Sequence, residues 1–313
     1  MNEIKIIMYH FVRELDLTRY PHIKARKLSE FKDQLEYLKE NHEFVTVKDC
    51  IDAFNDGDDL PKNAVLLTFD DGYKDHFENV FPILEENNIQ GCFFPPAKAV
   101  LEDEVLDVNK IHYMLAVNEE NKNIGGLVDK IFHLLDKHRE RYGLKSNEEY
   151  YSKFAKEGRY DPEEVIFIKR LLQKGLPEEA RKKIVGELFN EYMDVEEEVL
   201  SNELYMSIDQ LRCMQKNGMH IGSHGHDHYW LDTLPEDDIK KEIDRSVKFL
   251  EEVGTPEERW TFCYPYGAYN DGISELLQKR GFRLGFTTES GVADLEEDSA
   301  MELPRIDTNE IPF

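Results

Sequence analysis

A chain of 313 residues is long enough for one large α/β domain with a sizeable core, with or without an insertion. Its 39 basic residues against 65 acidic ones leave a formal charge of −26, a field that repels phosphate backbones and anionic lipid surfaces, so nucleic acid and membrane surfaces make poor partners. Four scattered cysteines (Cys50, Cys92, Cys213, Cys263) lack any C-x-x-C spacing, which predicts reduced, mostly buried thiols rather than a disulfide framework or a cysteine zinc site.

The opening MNEIKIIMYHFV is interrupted at once by Lys5 and His10, so neither a signal-peptide core nor a membrane span is read there, and a cytoplasmic protein is expected. The first apolar run, residues 4–12, reads as a strand. It is followed by an amphipathic helix over 29–41 with Ser29 as its N-cap. Further short apolar runs cover 64–71 (AVLLTFDD) and 91–96 (GCFFPP), each ending in polar or proline residues. Over 106–206 the strand signals vanish and the text turns charged and helical, with helix starts at Pro162 and Pro177. That stretch reads as an insertion. Strand runs return at 219–228 (MHIGSHGHDH), 260–267 (WTFCYPYG) and 283–288 (RLGFTT), with a helix over 235–254 between the first two, ended by Gly254. Alternating strands and helices of this kind predict a sheet wrapped by helices, either barrel-like or doubly wound, with functional groups at the C-terminal strand ends.

Two constellations carry chemistry. Asp70 and Asp71 close the strongest strand run just before Gly72, where a tight turn would leave two mutually repelling carboxylates at the sheet edge. A bound cation would take one as ligand and leave the other as a base; a solvated Asp-Asp-Gly turn is the plain alternative. Downstream, His220, His224, His226 and His228 fall within nine residues. His224 and His228 stand at i and i+4, a spacing that brings two imidazoles to one side of a helical turn. Two imidazoles and one carboxylate leave coordination positions open, as catalytic sites do. A closed structural site would need His220 or His226 as a fourth ligand.

TFDDGY (68–73) followed by SHGHDH (223–228) resembles the first two motifs of the polysaccharide deacetylases, carbohydrate esterase family 4, whose shared module is the NodB-like homology domain. The resemblance covers 4–109 and 207–311. It implies a distorted (β/α) barrel, here a single catalytic domain interrupted by a helical insertion at about 106–206. It also implies that Asp70 is the general base and that Asp71, His224 and His228 hold a divalent metal. In FCYPYGAYN (262–270) the family often has a base-orienting arginine where this chain has Cys263. The exopolysaccharide N-deacetylase branch, with its F-x-Y-P-Y-G segment, also lacks that arginine. There the backbone N–H of Tyr266 would help hold an oxyanion, with Pro265 and Gly267 beside the substrate. The C-terminal segment has no histidine to serve as general acid. That branch offers a substitute in its strand-end Y-H-x-V, matched by Tyr9-His10-Phe11-Val12, which would make His10 the proton donor to the leaving amine. Arg305, in LPRID (303–307), would orient a carboxylate or bind substrate.

The resemblance therefore implies a metal-dependent hydrolase that removes an N-acetyl or other acyl group from an amino sugar, and the expected cytoplasmic location favours a sugar nucleotide or a glycan precursor as the molecule that carries it. Zinc is the default ion, and cobalt, nickel or manganese would suit the same ligands. The alternatives are a non-catalytic carbohydrate-binding barrel and a metal hydrolase acting on another ester or amide. Within the insertion, Asn109, Lys110 and His112 are read either as substrate contacts from a lid or as a polar helix surface.

Overall fold

The computed structural model describes residues 2–158 and 161–312. The strands among the described residues are β1 (Glu3–Tyr9), β2 (Glu43–Phe44), β3 (Ala64–Asp70), β4 (Gly91–Phe94), β5 (His220–Ile221), β6 (Thr261–Cys263), β7 (Leu284–Phe286), β8 (Ala293–Asp294) and β9 (Ile306–Asp307); all pair in parallel except β8, which runs antiparallel to β1, and the apolar runs of β3 and β4 are buried on both faces along their whole length. The longest two pair with each other, in register from Ile4 opposite Ala64 to Tyr9 opposite Phe69. From β3 the parallel ladder continues through β4 to β5. A single parallel bridge, Ser223 to Phe262, leads on to β6 and β7, and a second, Phe286 to Leu303, leads to the segment that pairs through Ile306 with Ile7 of β1. The pairings thus return to their start. This is the distorted barrel expected of the sequence, with two of its seams reduced to single bridges.

Strand parity sorts the core into two. Ile4 and Ile6, Ala64 and Leu66, Cys92 and Phe94, Cys263, Leu284, Phe286 and Leu303 form one apolar cluster, joined by Val47, Cys50 and Ile51 from the helix Val47–Asp56. The opposite parity, with Ile7, Tyr9, Val65, Leu67, Phe69, Phe93, Ile221 and Phe262, packs against helix residues such as Phe31, Leu35, Phe249 and Leu250. Extending the first parity toward the strands' C-terminal ends reaches Asp70, His224 and Arg305. These three candidates therefore share one file of the barrel.

The helix Leu28–Asn41 starts before the expected cap. Glu30 accepts the Lys27 backbone N–H, so Lys27 is the N-cap and Ser29 lies inside the first turn. Glu236–Val253 ends, as expected, at Gly254 with φ +92°. Strands β2, β8 and β9 were not legible as runs, being two residues each.

Backbone contacts divide the chain into two compact units. The barrel unit runs through Glu14, resumes over Ala25–Glu104 and continues from Ser201; the second comprises Leu15–Lys24 and Val105–Leu200. The second is helical, and its core includes Ile111, Leu127, Ile131, Leu135, Phe167, Leu171 and Leu188, all buried. Within it Lys110 Nζ pairs with Glu197 at 2.6 Å, and Asn109 is buried, so neither lies on a solvated helix surface. All four cysteines are free, and Cys213 alone is exposed. No helix among the described residues is long and apolar enough to cross a membrane.

Candidate active site

Asp70 is the last residue of β3, and the chain then turns through two left-handed residues, Asp71 (φ +72°) and Gly72 (φ +70°). A side chain at Gly72 would come within 2.5 Å of Pro95 Cβ, so the turn needs glycine for its φ and for the close approach alike. The turn sends the adjacent carboxylates to different neighbours. Asp70 is gripped by Arg305, with Nη1 to Oδ1 at 2.9 Å and Nη2 to Oδ2 at 2.7 Å. Asp71 Oδ2 accepts the Tyr73 hydroxyl at 2.6 Å, while Asp71 Oδ1, buried, has no hydrogen-bond partner among the described residues.

That oxygen faces two imidazoles: His224 Nε2 lies 3.6 Å away and His228 Nε2 3.3 Å. The histidines do not converge by a helical turn. Residues 222–228 are a bent loop in which Gly225 (φ +76°) and His228 (φ +57°) take left-handed conformations, so the i, i+4 spacing works through backbone reversal. Nδ1 of His224 is 2.7 Å from the Cys263 carbonyl oxygen. A carbonyl only accepts, so Nδ1 carries the proton and Nε2 presents its lone pair toward Asp71. Burial also pushes His224 down to about 4, keeping the ring neutral.

Neither proposed fourth ligand joins this group. His220 Nε2 is 2.7 Å from Thr261 Oγ1 within the barrel, and His226 Nε2 is 3.5 Å from Glu102. Cys263 approaches Asp70, but its thiol donates to Oδ2 at 3.4 Å, and burial pushes its ionisation well up.

Burial alone would raise Asp70, but the Arg305 guanidinium, with lesser help from His224 and His10, outweighs it and holds the carboxyl down at about 2. Arg305 is itself buried, and its remaining donors go to Thr287 O at 2.7 Å and Thr68 Oγ1 at 3.1 Å. It sits on a carboxylate rather than in the open, where a substrate contact would have put it. His10 follows β1, with Nε2 4.0 Å from Asp70 Oδ2 and a side chain 46% exposed. Its carbonyl accepts from His76 Nε2 at 2.8 Å, a ring that burial pushes down to about 4. Tyr266 takes φ +58° and stacks on Trp230 with centroids 4.6 Å apart, while its edge meets His228 at 4.6 Å. Pro265 is buried, and Gly267 follows at φ +66°. Tyr73 and His76 were not singled out by sequence reasoning; both act on a candidate residue through one hydrogen bond that no spacing reveals.

The donor set suits a divalent ion. Four-coordinate bonds of about 2.05 Å put ligand atoms roughly 3.3 Å apart, close to the two separations found here. The orphaned Oδ1 of Asp71 supplies the negative charge, and Asp71, His224 and His228 leave further positions open.

A sequence model of the polysaccharide deacetylase family matches residues 57–116 and 184–285, together just over half of the chain. The poly-β-1,6-N-acetyl-D-glucosamine N-deacetylase of Escherichia coli K12 is 24% identical over 292 residues, covering 90% of this chain and 33% of its own. The chain thus spans about a third of the length of the curated relatives it matches. Among solved structures, IcaB from Ammonifex degensii superposes with a TM-score of 0.58 at 20% identity, covering 98% of this chain and 92% of that one. The Streptococcus pyogenes deacetylase PplD, in complex with acetate, gives 0.57 at 17% identity, covering 97% and 92%. These structural likenesses establish a common fold; joined to the sequence match across both motif regions, they place this chain in the polysaccharide deacetylase family.

Proposed function

We propose that this chain hydrolyses the N-acetyl amide of an amino sugar, in a glycan or a glycan precursor, using a divalent ion held by Asp71, His224 and His228. The observation that carries the reading is the convergence of Asp71 Oδ1 with the two Nε2 atoms, beside an Asp70 carboxylate kept ionised by Arg305. An ion bound there, zinc by default, would polarise the amide carbonyl and lower the pKa of an attacking water.

Asp70 accepts that water's proton as the new C–O bond forms. Arg305 holds both carboxylate oxygens in one plane, which fixes the direction of the accepting lone pair. The backbone N–H of Tyr266 meets the charge that develops on the carbonyl oxygen. His10, the exposed member of the set, then gives a proton to the departing nitrogen as the C–N bond breaks, leaving acetate and a free amine. His76 anchors the backbone at His10 and so limits its reach.

Acetate release should be measured from N-acetylated sugar nucleotides, amino sugars and β-1,6-linked oligomers, using zinc- and cobalt-loaded protein. Asp70→Asn and His10→Ala should each lower kcat by about 10²- to 10⁴-fold while metal still binds. Loss in Asp70→Asn alone would remove His10 from the mechanism. Sugar binding that survives Asp70→Asn, with no turnover by wild type on any substrate, would favour a binding barrel over an enzyme.

A further inference from the structure

The loop that carries His228 is gripped by a residue outside every motif. Glu242 lies on the helix Glu236–Val253 and is buried. Its Oε2 accepts two successive backbone N–H groups, from His226 at 3.0 Å and from Asp227 at 2.9 Å. On the other side, the amides of Ala97 and Lys98 donate to the carbonyls of Gly225 at 3.0 Å and His226 at 3.1 Å. Both polar ends of two successive peptide planes, 225–226 and 226–227, are therefore held. His228 follows at once in a left-handed conformation that costs a non-glycine residue about 1–2 kcal/mol. An unheld loop would relax that residue and swing its imidazole from Asp71.

We infer that Glu242 is a positioning residue for the metal site, holding the 225–227 backbone so that His228 Nε2 stays opposed to Asp71 Oδ1. The inference rests on the metal reading above. A single carboxylate oxygen suits the task because it can accept two strong N–H bonds at once, and burial removes competing water. A side chain one carbon shorter could not reach both amides from the same helix position.

Zinc and cobalt affinities should be measured by chelator competition for wild type, Glu242→Ala, Glu242→Asp and Glu242→Gln, together with the visible spectrum of the cobalt form. Glu242→Ala and Glu242→Asp should weaken binding about 10- to 100-fold and alter the cobalt bands, the scale of other supporting contacts to metal ligands. Glu242→Gln keeps the accepting oxygen and should recover most of the affinity. Leu250→Ala, a cavity mutant in the core face of the same helix, sets the control: it should lower Tm without changing affinity. If Glu242→Ala does not fold, Glu242→Asp carries the test. Equal loss of affinity in Leu250→Ala, or wild-type affinity in the folded Glu242 variants, would overturn the proposal while leaving the metal reading intact. Failure of wild type to bind either ion would overturn both.

Discussion

Adjacent in sequence, Asp70 and Asp71 are made different by what each one meets. Asp70 receives a planar guanidinium and Asp71 a hydroxyl on one oxygen and two imidazoles on the other, so that in the proposed reaction the first would take a proton and the second bind a cation. The arginine that the family often keeps beside the base is absent from the FCYPYG segment, and Arg305 reaches the same carboxylate from the chain's last strand region. Cys263 is small enough to leave room for it. Removing Arg305 would strand a buried charge, so Arg305→Met should cost roughly 3–5 kcal/mol in denaturant unfolding, with activity falling alongside. A cost below about 1 kcal/mol would mean that Asp70 relaxes to another partner. Asp70, Asp71, His224 and His228 were legible as residues from motif spacing. Their partners Tyr73 and the Cys263 carbonyl were not assigned, and Arg305 was read as orienting a carboxylate or binding substrate without saying which carboxylate, because those contacts join distant segments or depend on a turn's direction.

At the level of elements, the site depends on how strands end. β3 ends in a left-handed pair, β5 gives way to a bent loop, and the segment after β6 turns through Tyr266 and Gly267. At Gly72 the obstruction is a proline, with Cβ at 2.5 Å and Cα at 3.0 Å, which no side-chain rotation can move aside. Gly72→Ala should destabilise the protein by more than about 2 kcal/mol, from an unfavourable φ and from overlap with Pro95, and weaken metal binding at the same time because Asp71 shares the turn. Calorimetry with and without zinc would check this; a stability loss with unchanged metal affinity would show that Asp71 is aimed by Tyr73 alone. Long runs such as β1 and β3 were visible in the sequence because burial on both faces demands continuous apolar residues. The two-residue strands β2, β8 and β9 and the Lys27 cap left no such trace.

Across the whole molecule, a charge of −26 gives the surface a field that opposes anionic ligands. N-acetylated sugar nucleotides should therefore show higher KM values than neutral oligosaccharides at low salt, with the gap narrowing toward about 0.15 M, where screening acts within roughly 8 Å. Kinetics at two ionic strengths would check it, and a salt-independent gap would point to local pocket contacts instead. By itself the sequence determined the alternation of strands and helices, the helical stretch after the third strand run, the acidic charge and the Asp-Asp-Gly and histidine motifs, since each is a local pattern of residue types. Only the tertiary structure decided that the pairings close into a ring, that Leu15–Lys24 belongs with the helical unit, that Arg305 meets Asp70, and that Glu242 grips the histidine loop. Those outcomes turn on strand parity and on contacts between segments far apart in the chain, where a shift of one residue would reverse the side of the barrel a group faces.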